Sequence, residues 1–278
     1  MGKSVKFRAS SVGDLMTGGQ VGLTAKQQEE LNVLKTRQEL SEKGEAKQLT
    51  PKMMQTMEDL EAKSKVVELG QTAKSMIKEM FLRNEFGYRE IVQTKQMIKG
   101  HVCEAQSRDL VQKVLSGPFR KRNTTNFHSE LFTGTPDIIF EINENGETDK
   151  IVEDIKNSWN LRTFFNADGS DKLYYWQGQT YMHLTGADFF RLIYTLNPIP
   201  EDLMASEERK LYYQYGQDEQ NIDYQEALEQ LLHNNNLIND LDDHQRVKVF
   251  TFERDDEAIK EMHEVAKAGI EYYNTLEL

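Results

Sequence analysis

A mixed α/β (α+β) fold, a short mixed sheet flanked by helices and preceded by an N-terminal helical arm, is predicted by three observations. From about Thr24 to Gly117 the apolar residues recur at helical spacing. After Gly117-Pro118 the texture turns to β-rich runs on either side of an Asn145-Gly146 pair, a strong hairpin signal. Strands and helices then alternate to the C-terminus. The 278 residues suit one large domain or two ordinary ones.

The first helical stretches, TAKQQEELNVLKTRQEL and TPKMMQTMEDLEAKSKVVEL, are separated by Thr50-Pro51. A threonine there accepts from the free N–H groups of the first turn, and proline at the first helical position loses no needed donor. Both stretches are polar enough to form a surface hairpin or arm outside the main core. A longer amphipathic helix is expected from Arg89 to Gly117, with Gly100 and Glu104 one turn apart. LFTGTPDIIFEI and TDKIVEDIKNS read as strands, Ser170 to Gly186 as a helix, and ADFFRLIYTL as a buried strand closed by Pro198 and Pro200. Two acidic helical stretches, the alternating strand RVKVFTFE and a helix from about Asp256 to Leu276 complete the chain. The domain reading is a segment 1–23 packing on the core, an arm or insertion 24–85, and a core 86–278 with an acidic C-terminal completion.

Composition narrows the function classes. With 38% hydrophobic and 29% charged residues, no run long and apolar enough to span a membrane, and no apolar signal region at the N-terminus, a cytoplasmic protein is expected. The single cysteine, Cys103, excludes an internal disulfide, a four-cysteine zinc site and a four-cysteine iron–sulfur cluster. His101 beside it is too little for zinc, so any metal must rest on carboxylates. The net charge of −12 is uneven: residues 201–278 hold 20 acidic against 7 basic residues, whereas residues 1–200 balance at +1. A polyanion would therefore pass over the first 200 residues, where Arg120, Lys121 and Arg122 form a basic run, or equally a solvated loop. The acidic third, with Asp255, Asp256 and Glu257, would face away from it or lie over the site as a cover.

If the hairpin turns on Asn145-Gly146, facing residues have numbers adding to 291. Asp137 then lies opposite Asp154, with Lys156 on the same face, while Ile138, Phe140, Ile142, Ile151 and Ile155 sort to the other, core-facing side together with Glu153. Facing carboxylates call for a cation. The competing reading puts one aspartate beyond the paired region and leaves the lysine to neutralise the other. Downstream, Gln177 and Tyr181 share a helix face, with Gly178 between them permitting close approach of a backbone or ligand. Taken singly, Glu104 reads as a solvated helix residue and Tyr181 as core.

Together, Gly100-x-x-x-Glu104, Gly134-Thr135-Pro136-Asp137, Asp154-Ile155-Lys156 and Gln177-x-x-x-Tyr181 resemble the PD-(D/E)XK nuclease superfamily. Within it they are similar to the branch of lambda-type phage exonucleases and RecB-like nuclease domains. The likeness covers about residues 100–195 and implies a restriction-endonuclease-like core. It implies Asp137 as the shared metal ligand, Asp154 and the Ile155 carbonyl as ligands of one ion, and Glu104 as ligand of a second. Lys156 would orient or help deprotonate the attacking water, its pKa lowered if metals crowd it. Gln177 would fix the lysine and phosphate, supported by Tyr181. Oxygen-only ligation favours Mg²⁺ or Mn²⁺. Arg8 and Ser10, in Arg8-Ala9-Ser10-Ser11, resemble the segment that holds a terminal 5′-phosphate, and otherwise read as a helix start. Where the family more often has Glu before x-Lys, this chain has Asp154, with Glu153 as neighbour.

The reading that follows is a metal-dependent DNA exonuclease of phage recombination type acting on linear double-stranded ends. DNA is its expected partner, and the resemblance allows a single-strand annealing protein and a homo-oligomer. The alternatives are an endonuclease or repair nuclease of the same fold, and a noncatalytic nucleic-acid-binding or scaffold protein.

Overall fold

The structure is a computed structural model describing residues 5–64, 66–144 and 147–278. It divides into two compact units, residues 1–89 with 255–278 and residues 90–254.

In the first unit, β1 (Phe7–Arg8) leads into α1 (Ala9–Met16), and β2 (Gln20–Val21) pairs antiparallel with β3 (Val67–Glu68). Two-residue strands carry no alternation, so the sequence gives no sign of this pair. Between them lie α2 (Ala25–Glu42) and α3 (Pro51–Lys63). Thr24 and Thr50 cap these helices by accepting from the Gln27 and Met53 N–H groups, and Pro51 opens α3 as expected. The arm has a small core of its own: Leu31, Leu34 and Leu60 are buried, with Leu23, Leu49, Met53 and Met57 packed around them. The remaining helices, α4 (Gln71–Phe86) and α11 (Asp256–Asn274), pack on each other and on α1. α11 buries Ile259, Met262, Val265, Ala266 and Gly269 along one stripe, the spacing of an amphipathic helix. A side chain at Gly269 would meet the Phe7 ring, so this position must stay small.

The second unit differs from the expected single helix over Arg89–Gly117. Gly87, in the left-handed conformation (φ 68°), ends α4. Residues 87–94 are irregular, and two helices follow, α5 (Lys95–Val102) and α6 (Glu104–Val114), broken at Cys103. Anchoring explains the break. Lys99 on α5 is fully buried, and its Nζ donates to the carbonyls of Ser158, Trp159 and Asn197 at 2.8, 2.9 and 2.5 Å. Ser107 on α6 instead sits under the sheet, where its hydroxyl meets Asn157, Thr195 and Asn197. The elbow at Cys103 gives each helix its own anchor. Burial lowers the Lys99 ammonium to about 8, yet three acceptors satisfy all three of its donors.

A short hairpin, β4 (Phe127–His128) with β5 (Phe132–Gly134), precedes the main sheet. That sheet is mixed, in the order β6 (Ile138–Glu144), β7 (Glu147–Ser158), β8 (Phe189–Leu196), β9 (Val247–Glu253). β6 and β7 pair antiparallel from Ile138↔Glu153 to Glu144↔Glu147, the register whose numbers add to 291. The Asn145-Gly146 turn itself lies outside the described residues. β7 and β8 run parallel, joined by α7 (Leu161–Phe165) and α8 (Lys172–Thr185), and β9 closes the sheet antiparallel to β8. α9 (Glu201–Gln214) and α10 (Ile222–Asn236) are the two acidic helices.

The expectation of one core face and one site face on the hairpin needs correction. β7 is interior on both sides: Ile151, Val152, Glu153 and Asp154 are all buried. α8 covers the face of Val152, Asp154 and Lys156, and α6 the face of Ile155 and Asn157. α8 begins at the Asp171 cap, which accepts from the Leu173 N–H, and stops at left-handed Gly186. Its close seat on β8 depends on Gly178, where an added Cβ would come 2.1 Å from the Phe190 ring. Gly178→Ala is expected to destabilise the protein by about 1–3 kcal/mol through overpacking, read as a lower urea midpoint.

Candidate active site

Asp154, Lys156, Gln177 and Tyr181 are brought together where β7 meets α8. Asp154 is buried, and its Oδ1 accepts from Gln177 Nε2 at 3.2 Å. The same Gln177 nitrogen stands 3.0 Å from the Tyr181 hydroxyl, so residues one turn apart on α8 fix each other. Lys156 Nζ lies 2.7 Å from Asp154 Oδ2, an ion pair. Tyr174, three residues before Gln177, places its ring 4.9 Å from the ammonium. Burial alone would lower the Lys156 ammonium, but the Asp154 carboxylate, with Tyr174 and Asp137, outweighs it and raises the pKa above the ordinary lysine value. Burial, seconded by the charge of Asp154, raises the Tyr181 phenol.

Asp137 does not face Asp154 across a ladder rung; it precedes the first paired residue of β6. In this respect the competing reading of the hairpin matches the structure. Asp137 is nonetheless tied to the strand, because its Oδ2 accepts from the Ile155 N–H at 2.8 Å. Burial and the charges of Asp154 and Glu104, against that hydrogen bond and Lys156, push its carboxyl up to about 7. Two carboxylates sharing a poorly solvated edge repel, and the proton is the simplest relief.

Glu104 opens α6 on the other side of the strand. With Asp137, Ser107, Arg122, Ile155 and Asn157 it lines a cavity of about 30 Å³. Its carboxylate is taken by Arg122, at 2.7 Å from Nε. Asn157 leaves its Oδ1 buried without a hydrogen-bond partner. An unpartnered buried acceptor beside crowded carboxylates suits an oxygen-seeking cation. As the side chains stand, no three carboxylate, imidazole or thiol groups among the described residues are close enough to hold one, and Arg122 and Lys156 each engage a carboxylate. Glu104, Asp137 and Asp154 are the donors that would fit.

The basic run divides. Arg120 is not a phosphate-facing residue: it is 1% exposed and makes a bidentate pair with Glu153, Nε–Oε2 2.9 Å and Nη2–Oε1 3.3 Å. Glu153 is thereby assigned to the opposite face of β7 from Asp154, as register requires. Lys121 is exposed, and Arg122 is exposed but paired with Glu104. Arg8 and Ser10 lie in the first unit, both exposed; Arg8 is the residue before α1, and its carbonyl accepts from the Ser11 hydroxyl. His101 is exposed on α5. Sequence reasoning missed Tyr174, which its spacing from Gln177 could have revealed, and Asn123. The Asn123 N–H donates to the Asp137 carbonyl at 2.7 Å and its Nδ2 to the Pro136 carbonyl at 2.9 Å, contacts with no sequence signal.

A buried acid and a lysine two residues apart on a central strand, an aspartate just before the preceding strand and a following helix that holds the acid make up the candidate site, on a mixed α/β fold shared with solved exonucleases. More particularly, the chain is similar to a phage-related exonuclease from Haemophilus somnus 129PT, with TM-score 0.60 and 21% identity over 98% of this chain and 94% of that one. It is also similar to an alkaline exonuclease from Laribacter hongkongensis, with TM-score 0.53 and 14% identity over 97% and 88% of the two chains. No family model matches the sequence, and no curated protein matches it. The likeness is therefore one of fold.

The raised Asp137 carboxyl has a consequence for stability. Between about pH 4 and 7 the folded state holds a proton that the unfolded chain has released, so this group's contribution to stability falls as pH rises through that window. In chelator, Asp137→Asn is expected to be more stable than the parent at pH 8, by about 1 kcal/mol or more, with the difference closing toward pH 5. Thermal melts across that range read it.

Proposed function

We propose that the protein is a metal-dependent DNA exonuclease of phage recombination type that hydrolyses phosphodiester bonds from linear double-stranded ends. The observation that carries this reading is the buried Asp154–Lys156 pair under Gln177, beside Asp137, on a fold shared along nearly its whole length with exonucleases.

The ion would be Mg²⁺ or Mn²⁺, held by Asp137, Asp154 and the Ile155 carbonyl, with Glu104 serving a second. When bound, such ions offset charge on the phosphate and make water a better nucleophile near neutral pH. The chain's own groups do the rest. Lys156, kept as an ammonium by Asp154, contributes positive charge toward the scissile phosphate rather than acting as a base in this arrangement. Gln177 holds the Asp154 carboxylate in one orientation, and Tyr181 holds Gln177. The Ile155 N–H, by binding Asp137, sets the spacing of the two aspartates without a ladder rung. Phosphate at a DNA end would be taken by Arg8 and Ser10. Lys121 and Arg122 are the exposed cations of the basic run, on the +1 portion of the chain and outside the −13 segment. A single-strand annealing protein is the partner that a freshly exposed strand calls for. No helix among the described residues is long and apolar enough to cross a membrane.

Digestion of linear duplex DNA compared with closed circular DNA, with Mg²⁺ and with chelator, tests the proposal. Metal-dependent nucleotide release from the linear form only is expected; cutting of the circle would indicate an endonuclease, and no release from either a noncatalytic protein. Asp154→Asn should abolish release. Lys156→Ala should lower turnover by about 10²- to 10⁴-fold with a smaller effect on DNA binding.

A further inference from the structure

The nuclease reading treats Arg122 only as an exposed cation, yet its setting is specific. Its Nε stands 2.7 Å from Glu104 Oε1, and its Nη2 donates to Oε2 at 3.2 Å, a two-pronged grip. Its backbone is held on every side. It forms a β-bridge with Ile138, comes two residues after Arg120, which is buried against Glu153, and precedes Asn123, which binds the Asp137 and Pro136 carbonyls. The guanidinium and Glu104 line the same cavity as Asp137, Ile155 and Asn157. The Arg122 side chain nevertheless keeps 58% of its exposure, whereas that of Arg120 keeps none. One arginine is locked; the other stands on a locked backbone and is tethered only by an exposed ion pair, the weak kind.

That contrast suits a side chain that changes partner. The cavity gathers the carboxylates of Glu104 and Asp137, with Arg108 as a second arginine on its lining, and a divalent ion entering it competes for Glu104 with twice the charge. A DNA phosphate arriving with that ion brings new negative charge to the same place, and a planar guanidinium with five donors suits it. We propose, on the basis of the nuclease reading above, that Arg122 is the resident counter-ion of this cavity: it holds Glu104 while no divalent cation is present and transfers to a DNA phosphate once a cation takes that carboxylate. Arg120 and Asn123 hold the backbone still so that only the side chain swings.

The test begins without DNA. Calorimetric titration with Mn²⁺ should show Arg122→Gln binding the ion about three- to fivefold more tightly than the parent, because a competing cation has been removed. Affinity for a short duplex is then measured with and without Ca²⁺. The loss caused by Arg122→Gln should be confined to the Ca²⁺ arm, with the salt slope there smaller by about one. Unchanged or weaker Mn²⁺ binding in the variant overturns the proposal, since Glu104 is then either uncontested or positioned by Arg122. An equal loss of DNA affinity in both arms overturns it too, since the arginine then has one partner throughout. Failure of the nuclease reading is distinguishable: a parent and a variant that both bind no Mn²⁺ remove both proposals, whereas Mn²⁺ binding insensitive to residue 122 removes only the exchange.

Discussion

The structure rests on a strand that is interior on both faces and still carries charge at consecutive positions. Glu153 and Asp154 are both buried on β7, and because successive side chains point to opposite sides, no single neighbour can satisfy both. An uncompensated buried carboxylate costs several kcal/mol, so each face must supply its own cation. On the α6 side Arg120 closes on Glu153 with a second arginine, Arg191, 3.5 Å from the same carboxylate. On the α8 side Lys156 and Gln177 attend Asp154. The first solution is closed, with both side chains at 0% exposure; the second is open, its lysine side chain keeping 28% of its exposure.

The same strand organises what lies around it. Arg120 brings with it the strap of residues 120–123, and Asn123 then fixes the backbone of Pro136 and Asp137. The pair at the back of β7 thus helps set where the front aspartates stand. Lys99 does a similar service at the strand ends, gathering carbonyls from β7 and from the residue after β8 onto α5. In both cases the partners of a buried charge are supplied inside, the Glu153 carboxylate and the Leu115 carbonyl for Arg120 and three carbonyls for Lys99, which no aliphatic residue could bind.

Much of this was legible in the sequence. The alternation of DIIFEI against TDKIVEDIK specified the hairpin register to the residue, because a slip by one would have exchanged its faces. Gln177 and Tyr181 were placed by helical spacing, and Glu153 was separated from Asp154 by parity. The rest was hidden for physical reasons. A run of Arg120, Lys121 and Arg122 reads as surface because local sequence carries no sign of a partner 33 residues away on a buried strand. The break of the long helix at Cys103 follows from two distant anchors, Lys99 and Ser107, neither of which interrupts the local pattern. The irregular stretch 87–94 is announced by Gly87, but its Ile91 and Val92 imitate an apolar stripe while standing exposed. The likeness to PD-(D/E)XK nucleases, read from four short motifs, agrees with the fold.

Cys103 gives the elbow between α5 and α6 a further meaning. It is the chain's one cysteine, it is 1% exposed, and burial raises its thiol above the ordinary value. A thiol reagent in solution therefore has one place to react, and none until the elbow opens. Because Glu104 is the next residue, the rate of that reaction clocks the loosening of the turn that carries the carboxylate, in the native protein and without an added probe.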